Sequence, residues 1–179
     1  MEERIQTPRL VIRRVTLADG PGLADVWRNF AASPYAWYDR PHPTDPEEAR
    51  QRAERWAARS QDPAHRFYAV LCGERLAGYV SLHQREAGKY EIGYCFHSDF
   101  HGKGIAREAL GALLPWMRQQ GARVITAGTA VDNLPSVRLL AALGFRETGR
   151  ERVSFYQDEN GNDVYFEGGL YALSLAETE

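Results

Sequence analysis

The chain has almost no cysteine: Cys72 and Cys95 are its only two in 179 residues. Both lie in apolar, strand-like runs, and no Cys/His spacing suggests zinc, so a disulfide scaffold and a structural metal site both drop out. Two buried free thiols are the expectation. Long hydrophobic runs are lacking as well, since no stretch approaches the roughly 18 apolar residues of a membrane span. No charged-then-apolar leader is present. The expected place is the reducing cytoplasm, with no membrane partner. Excess charge of one sign is also missing: 22 Lys and Arg stand against 24 Asp and Glu, a net charge of −2. Without a basic field to neutralise phosphates, nucleic acid is not an expected partner. There is no internal repeat and no low-complexity segment. What remains is a chain 44% hydrophobic and 26% charged, enough to bury one core, so a single domain over residues 1–179 is expected.

The chain is organised around the stretch from Tyr90 to Met117. It reads as a strand, a turn through His101, Gly102, Lys103, Gly104, Ile105 and Ala106, and then an amphipathic helix. Ala106, Ala109, Leu110, Leu113, Leu114 and Met117 fall on one side of that helix. A helix start presents unpaired N–H groups and roughly half a positive charge, which suits a phosphate or diphosphate. Two glycines let backbone approach such a group, and Lys103 and Arg107 add positive charge. A Walker loop is excluded, because Gly104 follows Lys103 where a magnesium-holding hydroxyl belongs. A dinucleotide fingerprint would need glycine where Arg107 stands.

These residues resemble the coenzyme A loop of the GNAT N-acetyltransferases, whose pattern is Gln/Arg-x-x-Gly-x-Gly/Ala; only His101, in the first place, departs from it. A second block agrees with the first. Val131 to Phe145, opening on Asp132-Asn133 and closing in Leu143-Gly144-Phe145, is similar to the family's asparagine-led helix. The Glu91-Ile92-Gly93-Tyr94 strand, the Asn133-x-x-Ser136 spacing and the opening Thr7-Pro8-Arg9-Leu10 resemble the RimJ/RimL-type branch. The resemblance implies an α/β, mixed α+β fold: one central, mostly antiparallel sheet of about six to seven strands, helices on both faces, and a splay between the fourth and fifth strands. It also implies acetyl-CoA as cosubstrate, with no metal.

Pattern places the other elements. Leu10 to Val15 is β-rich and follows Pro8, and reads as a first strand, an edge strand in the family. Asp19 can cap a helix to about Ala31 with Leu23, Val26, Trp27 and Phe30 inward. Ser33 to Pro46 is a proline-rich loop. Thr44-Asp45-Pro46 opens a second helix to about Arg59. Phe67 to Cys72 and Arg75 to Leu82 flank Gly73-Glu74 as a hairpin, and Gly88 leads into the Tyr90 strand. Val124 to Thr129 is a β-branched run, the Asn133 helix stops at Gly144, and Arg146 to Gln157 and Val164 to Leu175 close the sheet.

Amine acetylation needs a neutral amine, and a carboxylate acting directly or through one water is the simplest base. Glu91, on the strand leading into the loop, is the candidate, because a related glutamate serves as base in part of the family; a solvent-facing position or an arginine partner is its plain alternative. Many relatives protonate the leaving thiolate with a tyrosine of the last helix, but Leu140 stands there, and Ser136 is the substitute the branch suggests. A backbone N–H of Cys95 or Phe96 is expected to face the thioester oxygen. Asn133 can cap its helix or contact the pantetheine, and Arg138 is a surface charge or a phosphate ligand. His101 is expected to make a loop-end hydrogen bond.

The resemblance implies an acceptor groove lined by the first two helices and the final hairpin, which here would offer Trp27, Tyr35, Trp37, Tyr38 and Tyr156 with Asp39, Asp158 and Glu159, a set that suits a cationic amine. A small-molecule amine and a protein N-terminus stay open, as do monomer and homodimer. Besides an acetyltransferase, two readings stand: a non-catalytic acyl-CoA-binding or sensing module, and a nucleotide-binding enzyme.

Overall fold

The computed structural model describes residues 3–175. Its strands are β1 (Arg4–Gln6), β2 (Leu10–Arg14), β3 (His65–Cys72), β4 (Arg75–Glu86), β5 (Lys89–Phe96), β6 (Val124–Ala130), β7 (Arg146–Gln157) and β8 (Asp163–Ser174). They form one sheet in the order β1-β2-β3-β4-β5-β6-β8-β7. Every neighbouring pair is antiparallel except β5 with β6. The sheet is therefore one strand larger than the six to seven expected. Arg4–Gln6 carries no apolar alternation to announce itself, yet pairs Ile5 with Ile12, so Leu10–Arg14 is not the edge.

The helices are α1 (Gly20–Ala31), α2 (Pro46–Arg59), α3 (Ile105–Gln119) and α4 (Leu134–Ala142). Alternation along the strands sorts them onto two faces, since successive side chains point opposite ways. On β3, Phe67 and Ala69 meet Leu23, Trp27, Ala49 and Ala53 of α1 and α2. Their neighbours Tyr68 and Val70 meet Ala109, Leu110, Leu113 and Met117 of α3 and Leu140 of α4. The apolar stripes read from the sequence thus supply the two cores.

Side-chain caps start two of the helices and a glycine stops one. The Asp45 carboxylate accepts from the N–H groups of Glu47 and Glu48, and Asn133 Oδ1 accepts from the Ser136 N–H. Gly144, at φ +90, ends α4. Asp19 differs from expectation. It stands at the start of α1, but its carboxylate takes a bidentate bond from Arg13 and accepts from the Thr16 N–H instead of capping the helix. The segment 33–45 is a loop that holds one short 3-10 turn, Ala36–Tyr38, and Pro46 already belongs to α2.

The sheet opens at one place. β5 and β6 are paired only where Lys89, Tyr90 and Glu91 face Val124, Ile125 and Thr126. Beyond that, β5 runs on to Phe96 against β4 while β6 stays with β8. A gap widens from Glu91 toward the start of α3, between the fourth and fifth strands of the sequence-based count.

Candidate active site

Which main-chain groups line this gap follows from the register. Antiparallel partners alternate between pairs that exchange hydrogen bonds and pairs that do not. The His97 N–H donates to the Ala77 carbonyl, which makes that an exchanging pair. Stepping back along β5, Phe96 with Gly78 and Tyr94 with Val80 are non-exchanging pairs, whereas Cys95 with Tyr79 exchanges. The amides of Tyr94 and Phe96 consequently face the gap, and that of Cys95 turns to β4. Of the two amides expected at the thioester, Phe96 has the required direction and Cys95 has not. The Cys95 side chain is buried on the α1/α2 face, and burial there pushes its thiol up to about 12, so it is no thiolate.

The gap leads to the glycine turn. Gly102 and Gly104 have φ of +68 and +74, which L side chains rarely adopt, and the space a Cβ on Gly102 would fill is open. Gly104 is the N-cap of α3, with Ile105 buried as the anchor of its first turn and Ala106 half-buried behind it. The His101 ring donates from Nε2 to the Phe96 carbonyl at 2.8 Å, tying the turn to the end of β5. Lys103 is fastened rather than mobile, its ammonium donating to the Asp99 carbonyl at 2.7 Å. Arg107 is exposed on the first turn of α3. An anion meeting this turn would find N–H groups at a helix start with no side chain in front of Gly102.

Across the gap stands α4. Ser136 Oγ lies 2.7 Å from the Tyr94 hydroxyl, joining α4 to β5. Burial raises the Tyr94 phenol to about 12, against a smaller lowering by the Ser136 bond, so it stays protonated at neutral pH. Tyr94 was not among the sequence candidates, because its place in an apolar strand reads as core; only the 2.7 Å contact marks it. Asn133 caps α4, and Arg138 is exposed on it.

The opposite face holds the remaining candidates. The Glu91 carboxylate accepts from Arg85 Nε at 2.9 Å and its side chain is 45% exposed. Its register partner is His83 on β4. Trp27 belongs to the core rather than to a groove: it is fully buried, its ring stacked on His42 at 5.3 Å and edge-on to Trp56 and Tyr79. The other aromatics cluster over the β7–β8 hairpin. Trp37 and Tyr38 pack on Phe166 at 5.6 and 5.2 Å, Tyr35 stacks on Tyr38, and the Tyr156 hydroxyl donates to the Ala36 carbonyl. Asp39 follows in the same loop, held by the Arg40 N–H and by His42 Nε2 at 2.9 Å. Asp158 instead organises the β7–β8 turn by accepting from the Asn160 and Asn162 N–H groups. Among the described residues no group of three or more His, Cys, Asp or Glu is placed to hold a metal, and no helix is long and apolar enough to cross a membrane.

A mixed sheet parted between two parallel strands has inward-facing amides that lead to a glycine-rich helix start, an arrangement with room for an extended, anion-headed ligand. Residues 9–146 match the acetyltransferase (GNAT) domain, and the chain belongs to that family of acetyltransferases. It is 28% identical over 171 residues to the uncharacterized N-acetyltransferase p20 of Bacillus licheniformis, covering 91% of this chain and 93% of that one. Its fold is that of the ribosomal-protein-S5-alanine acetyltransferase from Vibrio fischeri, with a TM-score of 0.82 at 20% identity over 99% of this chain and all of that one. It is also similar to RimL, the ribosomal L7/L12 alpha-N-protein acetyltransferase, solved with coenzyme A, with a TM-score of 0.81 at 24% identity, covering 96% and 98% of the two chains.

Proposed function

We propose that this acetyltransferase moves an acetyl group from acetyl-CoA to a primary amine, a small molecule or a protein N-terminus, by direct attack while both are bound. The observation that carries this is the run of gap-facing amides at Tyr94 and Phe96, continuous with the open turn at Gly102 and Gly104. Gly102, Lys103, Gly104, Ile105, Ala106 and Arg107 would hold the diphosphate through main-chain N–H groups and positive charge. His101 keeps that turn on β5, Asn133 and Arg138 flank the cleft from α4, and the Phe96 amide would steady the thioester oxygen as charge develops on it. Acetyl-CoA supplies the activated acetyl thioester.

The chain's own groups then manage protons. Glu91 stands at the fork of β5 and β6, on the face away from α4, and takes the proton that the amine must lose before it can attack. Ser136 donates to the departing sulfur and is resupplied by the Tyr94 O–H, which is protonated throughout the neutral range, and the pair recovers the lost proton from solvent. Holding both reactants replaces a bimolecular encounter, and no protein nucleophile is needed. Tyr35, Trp37, Tyr38 and Tyr156, with Asp39, form the mouth on the acceptor side and suit a cationic amine. The likeness of the fold to two ribosomal-protein acetyltransferases supports a protein N-terminus as one acceptor class.

The test is acetyl-CoA-dependent thiol release across a panel of amines and N-terminal peptides, beside the thermal shift given by coenzyme A alone. Release with a primary amine is expected. A protein stabilised by coenzyme A yet inert toward every acceptor would overturn the catalytic reading in favour of a binding module.

A further inference from the structure

The glycine turn is not held by its own residues alone. Arg9, immediately before β2, donates from Nη1 to the Lys103 carbonyl at 2.8 Å, and from Nε and Nη2 to Glu108 Oε2 at 2.7 and 2.6 Å. The Arg9 backbone N–H and the Thr7 hydroxyl both donate to Glu108 Oε1. One guanidinium, 99 residues away in sequence from Glu108, thus fastens both the turn and the first turn of α3. Arg9 Nη2 also lies 3.5 Å from where a Cβ on Gly104 would be, so the fork flanks the positive-φ residue itself.

Glu108 shows why such a clamp matters. A carboxylate in the first turn suits the positive end of α3, yet it would repel a diphosphate arriving at that same end. The hydrogen bonds from Thr7 and then Arg9 hold its carboxyl below the usual range, so it is charged at neutral pH. Only a fixed cation can cancel it, and the planar fork of arginine does so while keeping its geometry. Building on the reading that coenzyme A occupies this turn, we propose that Arg9 is a positioning residue for the coenzyme's diphosphate. It keeps the turn in its amide-presenting form, cancels the Glu108 charge, and leaves further N–H groups of a 47% exposed side chain beside the anion.

The experiment is calorimetric titration of the wild type, Arg9→Gln, Glu108→Gln and the double variant with two probes: coenzyme A, and pantetheine, which lacks the diphosphate. Arg9→Gln is expected to weaken coenzyme A roughly tenfold or more and to leave pantetheine unchanged. Glu108→Gln should bind coenzyme A near the wild-type level, and adding it to Arg9→Gln should recover the part of the loss that comes from the uncancelled Glu108 charge. Arg9→Lys, which keeps the charge without the fork, should fall between, and serves if Arg9→Gln does not fold. Wild-type affinity in either Arg9 variant, equal weakening toward both probes, or a double variant no better than Arg9→Gln would overturn the proposal. A wild type that binds pantetheine but gains nothing from the diphosphate would overturn the placement of coenzyme A on this turn, and the role of Arg9 with it.

Discussion

The Tyr94 hydroxyl and Ser136 Oγ meet at 2.7 Å across the opening between β5 and α4. Each hydroxyl can donate or accept, so the pair can pass a proton toward a leaving sulfur, and solvent, which also takes the amine's proton back from Glu91, replaces the one given up. Ser136→Ala should lower kcat by roughly 10²-fold, the lower end of what a general acid contributes, and leave coenzyme A affinity intact. Tyr94→Phe should lower it less, and the double variant should be no slower than Ser136→Ala, because both act in one relay. Steady-state kinetics on the three variants checks this; additive losses would separate the two residues.

Glu91→Gln keeps the shape of the side chain and its ability to accept from Arg85 Nε, but removes the base. Turnover should fall by roughly 10²-fold or more with coenzyme A binding unchanged. An amine whose own pKa lies well below neutrality should lose far less, since it needs no help to become neutral. Rates for a series of amines of falling basicity read this directly.

Gly104→Val places a β-branched residue at φ +74 on the N-cap of α3. The backbone must shift out of the conformation that bares its amides, at a cost on the order of 1–3 kcal/mol. Coenzyme A affinity should fall at least tenfold, and calorimetric titration measures it. Unchanged affinity would move the diphosphate away from this turn.

Trp27 and Tyr38 should behave oppositely. Trp27 is fully buried among Trp56, Tyr79 and His42, so Trp27→Ala should cost about 3–5 kcal/mol in denaturant unfolding. Tyr38→Ala, at a half-buried loop position over Phe166, should change KM for the acceptor amine more than it changes stability.

His83 makes stability depend on pH. The His83 ring lies with its Nδ1 3.0 Å from His65 Nδ1, and the Arg59 guanidinium lies 3.2 Å from His65 Nε2. Burial, then the charges of His65, Arg85 and Arg59, draw His83 down to about 4, against a smaller upward pull from Glu91. Between the ordinary value of about 6.5 and about 4, the unfolded chain binds a proton that the folded protein refuses. This contribution to stability is complete above pH about 6.5 and is lost as pH falls toward 4. Melting temperature against pH should therefore be flatter in that window for His83→Gln than for the wild type.

Local signals made much of the architecture legible. The glycine turn, the α3 stripe, the Asp45 and Asn133 caps and the hairpin at Gly73-Glu74 all depend on residues close in sequence, where propensity and spacing act. Other features rest on distant partners. Asp19 looks like a cap until Arg13 claims its carboxylate. Arg4–Gln6 becomes a strand only because Leu10–Arg14 offers it an edge. The choice of Phe96 over Cys95 depends on the register with β4, which no single strand reveals. The ties of Arg9 to Glu108 and of Tyr94 to Ser136 span 99 and 42 residues and leave no periodic trace.

The measurement that bears most directly on the site is a crystal structure with acetyl-CoA. It should show the diphosphate on the amides of residues 102–107, the pantetheine between β5 and β6 along Tyr94 and Phe96, and the thioester at the fork near Glu91. A ligand lodged elsewhere, or β5 and β6 closed against each other with those amides paired inside the protein, would contradict it.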